Sequence, residues 1–210
     1  MTVLSPTSRS TVRRLRERAQ TDRAALYDVL GAALVCHLSV VVDGSPLVLP
    51  TAYGFDEDTL YVHGSTGSRS LQTAGPVCVA VTVLDGVVYA RSVFHHSMNY
   101  RSAVVHGHAR QLHGEEKLRG LELITEHLAP GSWSHARLPN KKELAQTNVL
   151  ALDLHEASVK VRRGGPKDDD ADLALPVWAG VLPIREAFGI PEPCELLPDG
   201  ARAPEYVEKR

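Results

Sequence analysis

The chain has 210 residues, of which 43% are hydrophobic but only 5% aromatic, and a formal net charge of −2. That length suits one domain whose core is built from Val, Leu and Ala, and the near-neutral charge gives no support for nucleic acid as a partner. Three widely spaced cysteines (Cys36, Cys78, Cys194) with no Cys-x-x-Cys exclude a zinc ribbon or thioredoxin motif and suit a reducing, cytoplasmic compartment, and no stretch approaches the ~20 apolar residues of a membrane helix.

The first segment reads as helical and basic, with Arg13, Arg14, Arg16, Arg18 and Arg23 close together, most simply a solvated face. Asp22 to Gly31 continues as helix, carrying Ala25, Leu26, Val29 and Leu30 at helical spacing. From Leu34 the period changes. Leu34–Val42 is a strand, Asp43-Gly44-Ser45 a hairpin turn and Leu47–Phe55 the return strand. Asp56-Glu57-Asp58 turns the chain into a third strand, Thr59–His63, followed by a Gly/Ser loop and a short helix near Ser70–Ala74. Pro76–Leu84 is a long apolar strand, and Asp85-Gly86 predicts a second tight turn into Val87–Ser92. Tyr100–Leu112 is a further strand, Glu115–Leu128 an amphipathic helix, 131–146 a loop with a short helix, and Val149–Leu154 and Ser158–Val161 the last strands. Arg162–Asp172, with Asp168-Asp169-Asp170, reads as a solvated loop, and Pro191–Arg210 as an extended tail. Short strands joined by Asp-Gly turns argue for a mainly β, α+β chain folded as an antiparallel barrel, in which closure removes the sheet edges. The expected division is a helical segment 1–31, a barrel 32–185 and an extension 186–210.

Two segments carry chemistry. In Tyr61-Val-His-Gly-Ser-Thr-Gly-Ser-Arg-Ser70, small residues run from a strand end into a helix start, Arg69 offers a guanidinium fork, and Ser68 and Ser70 add hydroxyls. This suits a phosphate, although it is neither a Walker nor a Rossmann loop, and an ordinary serine-capped turn fits equally. The second runs from Arg91 to Gly107. Its strand places Ala103, Val105, Gly107 and Ala109 on one face, where a flat ring could lie close, and Ser102, Val104, His106 and His108 on the other. His95, His96, His106 and His108 read as barrel-end histidines in preference to metal ligands.

These segments resemble the pyridoxamine 5′-phosphate-oxidase-like, FMN-binding split-barrel family, nearest its nitroimidazole-resistance branch. The resemblance is carried by Asp43-Gly-Ser-Pro46 with Leu49-Pro-Thr-Ala-Tyr53, by Leu60–His63 with Gly67-Ser-Arg-Ser70, by Asn99-Tyr-Arg-Ser102, and by Val177-Trp-Ala-Gly-Val-Leu-Pro183. It implies a split β-barrel homodimer with FMN at the interface. Ser68, Arg69 and Ser70 match the phosphate contacts, and Leu49, Pro50, Thr51 and Ala52 the strand beside the isoalloxazine. Ser102 and Arg101 match positions that reach the flavin, and Trp178 matches a ring-packing tryptophan from the partner chain. His63 would stand beside the ring, as a proton donor or substrate contact, or as a structural histidine. Arg137 matches a substrate-side arginine. The resemblance departs at Ser70, where a second cation is common, and at the tail, which lacks the substrate-holding segment of the B6 oxidases. The implied activity is FMN-dependent electron transfer to a small organic acceptor. A non-catalytic flavin carrier, a deazaflavin F420 protein and a haem protein using His95 or His96 stay open beside it.

Overall fold

The structure is a computed structural model that describes residues 3–4, 7–72, 75–198 and 200–210. In chain order the elements are β1 (Ala19–Gln20), α1 (Arg23–Ala32), β2 (Val35–Val42), β3 (Ser45–Phe55), β4 (Thr59–Ser65), β5 (Pro76–Tyr89), β6 (Ser97–His108), β7 (Arg110–Gln111), α2 (Gly114–Leu128), α3 (Lys141–Ala145), β8 (Thr147–Asp153), β9 (Ala157–Arg162), β10 (Gly180–Pro183) and α4 (Glu205–Glu208). Short 3₁₀ turns span Arg69–Leu71 and Val93–His95. The end of the helix expected near Ser70–Ala74 lies outside the described residues.

All strand pairs are antiparallel, in the order β1-β9-β6-β5-β2-β3-β4-β8-β7, with β10 beside β5. The sheet curls shut because β7 continues the same run as β6: β6 pairs with β5 and β9, and β7 pairs with β8 through Arg110↔Ala151 and Gln111↔Leu150. This is the antiparallel barrel that the strand pattern predicts, in the split form that the family resemblance implies. Asp43 (φ 50°) and Gly44 (φ 75°) both adopt the left-handed conformation that a two-residue hairpin of matching twist requires, which fixes the β2–β3 register.

Cys36, Leu38 and Val40 of β2, Tyr53 of β3, Leu60 and Val62 of β4, Val79 and Val81 of β5, and Ala103 and Val105 of β6 fill the barrel together with Leu26, Val29 and Leu30 of α1. Tyr53 donates to the Leu30 and Ala33 carbonyls, tying α1 to the barrel end. Burial pushes the Cys36 thiol up to about 12, so it stays protonated and inert. A second, smaller cluster seals α2 to the outside through Leu112, Leu121, Ile124 and Val149. Gly54 permits that contact: a Cβ there would stand 2.4 Å from the backbone at Leu123 and Ile124.

Several expectations are corrected. The basic N-terminal run is not a helix. Leu15 turns at φ 56°, a 3₁₀ turn follows over Arg16–Arg18, and Ala19–Gln20 pairs with β9. Arg23 is not solvated but buried, donating to Tyr27 Oη (2.7 Å), the Glu57 carbonyl (2.6 Å) and Asp58 (3.0 Å). Asp85-Gly86 is a bulge inside one continuous strand, not a hairpin, because β6 stays paired across it with a register shift between Leu84 and Gly86. The Ala/Gly face of β6 turns into the core, and at Gly107 the space for a ring is taken by Leu152, 2.7 Å from where a Cβ would stand. The acidic run is anchored: Asp168 has a side chain only 2% exposed and accepts from the Arg91 N–H and guanidinium, both at 2.7 Å.

Candidate functional site

β3 and β4 pair only over Tyr53–Phe55 and Leu60–Val62. Beyond Val62 the strands part: β4 stays with β8 through Ser65, while β3 from Ser45 to Ala52 stays with β2. A cleft opens between them, and among the described residues no strand pairs with that edge of β3. Pro50 has no N–H, so opposite His37 its nitrogen must face away from β2. By alternation, Val48, Pro50 and Ala52 turn backbone polar groups toward the cleft, where they can meet the edge of a planar polar ring. Leu49 and Thr51 alternate with them, directing their side chains to the Tyr53 face.

The loop after β4 forms the other wall. Leu71 is buried over Gly64, where a Cβ would stand 2.4 Å from its Cδ1, so the 3₁₀ turn is fastened into the split between β4 and β2. Ser70 is buried and Ser68 half-buried, and their hydroxyls lie 2.7 Å apart. The exposed Arg69 guanidinium reaches across to Asp43 at the hairpin tip. His63 stands at the Ala52 end, one residue past the last β3–β4 pair. Its Nδ1 is buried without a hydrogen-bond partner, and burial pushes the imidazole below its usual range, which keeps it neutral. The pairing thus leaves His63 and Ala52 on facing edges of the split, with Leu49–Thr51 along the same run of β3 and the Ser68–Ser70 turn fastened against β4 and β2.

The remaining residues lie elsewhere. Arg101 is on the inner face of β6, paired with Asp85 (2.8 Å) at the β5 bulge, beside a cavity of about 400 Å³ lined by Asp28, Val29 and Arg163. Ser102 faces the opposite way, between Thr82 and Lys160 on the neighbouring strands. Trp178 is 68% exposed, its ring 5.8 Å from Tyr89 at the far end of β5. Arg137 is held bidentately by Glu143 (2.7 and 3.1 Å) in the α2–α3 connection. That contact holds the Glu143 carboxyl down at about 2, and Glu143 also caps Asn140. Among the described residues no group of three or more His, Cys, Asp or Glu converges on a metal-sized site. His95 contacts Asp169 (3.2 Å), and His96 accepts the Ala90 N–H (3.2 Å). Sequence reasoning read Asp43 and Asp85 only as turn residues and passed over His127. The first two are ordinary turn residues in the sequence, and His127 sits in a helix with no local motif around it. No helix among the described residues is long and apolar enough to cross a membrane.

Two solved structures are similar over nearly the whole chain. The flavocytochrome Anf3 of Azotobacter vinelandii is 35% identical, with a TM-score of 0.91 and 98% of each chain covered. An FAD- and haem-binding protein of Mycobacterium smegmatis is 36% identical, with a TM-score of 0.87, covering 91% of this chain and 96% of that one. A protein of Bacteroides thetaiotaomicron described as a 5-nitroimidazole antibiotic resistance protein is 21% identical, with a TM-score of 0.56 over 68% of this chain and 86% of its own, and shares the fold alone. Proximity to the nitroimidazole-resistance branch is therefore corrected: the flavocytochrome and the FAD- and haem-binding protein are far more similar. No curated protein matches the chain. The pattern of the pyridoxamine 5′-phosphate oxidase family spans residues 22–161, which hold the barrel, the cleft and the Ser68–Ser70 loop, and the chain belongs to that family.

Proposed function

We propose that this protein is a flavin- and haem-binding redox protein that takes FAD in the β3–β4 cleft and works as a homodimer. The observation that carries the flavin reading is the unpaired edge of β3 at Val48, Pro50 and Ala52, set opposite the paired hydroxyls of Ser68 and Ser70. The β3 edge meets the polar rim of the isoalloxazine through backbone groups. Ser68, Ser70 and Arg69 take the phosphate, with Arg69 exchanging Asp43 for it. That exchange is cheap because both side chains of the pair are exposed. His63, neutral and beside the ring position, holds a proton donor or acceptor there. The bound flavin supplies the electron transfer itself.

Two arguments favour FAD over the FMN that the family resemblance implies. The loop offers one arginine, itself shared with Asp43, and hydroxyls in place of a second cation. FMN ends in a phosphate monoester close to a dianion, whereas each phosphorus of FAD carries a single charge, so one cation and two hydroxyls suit FAD better. The M. smegmatis relative, similar over nearly all its length, is described as binding FAD and haem. Dimerisation is supported by position. Trp178 lies at the far end of β5 from the phosphate loop, about 40 Å along the strand, so both meet one flavin only if a second copy supplies the tryptophan. Val35, Val41 and Val48 leave the outer face of β2 and β3 apolar and uncovered, as a dimer face requires.

The test is to denature the purified protein, identify the released cofactors by chromatography, and measure the native mass by light scattering. FAD and haem from a dimer are the expected result. FMN or F420 alone, or a monomer with full flavin occupancy, overturns the corresponding part of the reading.

A further inference from the structure

We infer that His127 binds the haem iron through Nδ1, in a cavity between the C-terminal ends of α1 and α2, the stretch Glu186–Phe188 and Arg210 after α4. The inference rests on the haem half of the function proposed above. A histidine that ligates iron presents a free nitrogen lone pair and, as a rule, donates its other ring N–H to a carbonyl or carboxylate that fixes the ring. Where a ring nitrogen has a hydrogen-bond partner, that partner decides whether the histidine qualifies. The Ala90 N–H is a donor, so His96 Nδ1 must accept from it, and the neutral ring carries its proton on Nε2 with no lone pair left for a metal. His155 Nδ1 accepts from the Arg23 guanidinium (3.5 Å) and has no lone pair left there. His95 Nε2 faces the Asp169 carboxylate (3.2 Å), which is three-quarters exposed, so that pair is open to water and not enclosed around a ligand. His63 lacks the orienting bond, because its buried Nδ1 has no partner.

His127 meets both conditions. Its Nε2 lies 2.8 Å from the Ala33 carbonyl oxygen, which can only accept, so Nε2 carries the proton and Nδ1 keeps its lone pair. The ring is clamped by Tyr53 and Phe55, at centroid distances of 4.7 and 5.4 Å. His127 borders a cavity of about 530 Å³ walled by Leu34, Pro130 and Phe188, with Glu126 and Glu186 on its polar side, within the range of small-molecule sites. The Arg210 guanidinium lies on the rim, 4.3 Å from the Phe188 ring centroid, where it can pair with a carboxylate. A mainly apolar wall, one oriented imidazole and one cation suit an iron porphyrin with its propionates, and of the two carboxylates in the lining Glu126 is already taken by the Gly131 and Trp133 N–H groups. Phe188 and Arg210 lie outside residues 22–161, the span of the family pattern.

The experiment titrates hemin, and separately iron-free protoporphyrin IX, into the haem-free protein and into His127→Ala, following the Soret band together with the flavin absorbance. Loss of the ligand is expected to weaken hemin more than about tenfold and shift the Soret band, with added imidazole restoring it. Iron-free porphyrin and flavin are expected to bind as before. Arg210→Ala is expected to keep the Soret position while binding hemin more weakly. Should His127→Ala lose its fold by circular dichroism, Ala187→Trp fills the cavity without touching the ligand and is expected to block hemin. Wild-type hemin affinity and Soret position in His127→Ala, or in Ala187→Trp, overturn the assignment and leave the haem reading intact. A wild-type protein that binds flavin but not hemin overturns both.

Discussion

β3 and β5 are both long strands whose pairing is interrupted, and the chain resolves the two interruptions in opposite ways. At β5 the bulge between Leu84 and Gly86 is covered from within: β10 lies along Gly86–Tyr89, and Asp85 turns inward to Arg101. At β3 the ladder to β4 stops at Tyr53, and no described strand takes up the edge from Ser45 to Ala52. A bare edge is a liability that a chain normally blunts, and Pro50 blunts this one only in part. An edge covered in the same chain is scaffold, whereas an edge left bare, with a polar loop fastened opposite, is where a ligand or partner belongs.

That contrast can be broken by substitution. The largest effect is expected where β3 is still closed. In Gly54→Val the new side chain enters the α2 backbone at 2.4 Å, and the fold is expected to lose about 3 kcal/mol or more, read as a collapsed denaturation midpoint. A near-wild-type midpoint would mean that α2 does not seal this strand. At the open stretch the loss should fall on the ligand instead. Arg69→Ala is expected to weaken flavin binding by about 1.5–3 kcal/mol, with the melting temperature of the flavin-free protein unchanged, since the Asp43 pair it gives up is exposed. Unchanged flavin affinity would remove Arg69 from the site.

The smallest effect is expected at the covered bulge. Hydrogen bonding to Arg101 holds the Asp85 carboxyl below its usual range. A carboxyl depressed in the folded state stabilises the protein above its unfolded pKa of about 3.9 and loses that contribution as pH falls through the folded value. Asp85→Asn is therefore expected to cost about 1 kcal/mol or less near neutral pH and to flatten the acid limb of the stability curve, with flavin binding untouched. A large loss of flavin affinity would move Arg101 and Asp85 from scaffold to site.

Much of the fold was legible because it is local. Asp43-Gly44 demands a hairpin whose two residues turn left-handed, and the apolar runs read as Leu34–Val42 and Thr59–His63 became β2 and β4. The Ser68–Ser70 loop was legible for the same reason. Asp85-Gly86 carried the same turn signal and was misleading, since a dipeptide cannot tell a reversal from a bulge. The difference lies in Tyr100 and Asn99, which keep β6 paired on both sides of it.

The amino-acid sequence by itself determined the strands, their hairpins, the class of barrel and the small-residue loop that can hold a phosphate, because each depends on backbone preferences and side-chain alternation within a few residues. Only the tertiary structure decided that Asp168 is buried against Arg91, 77 residues away, that Arg101 and Ser102 face opposite ways, and that no strand among the described residues takes up the β3 edge. It also decided the protonation of the rings, since His127 and His96 are made donor and acceptor by the Ala33 carbonyl and the Ala90 N–H. A histidine's chemistry follows from the group its ring nitrogen meets, and for His127 that group comes from a segment 94 residues away in the chain.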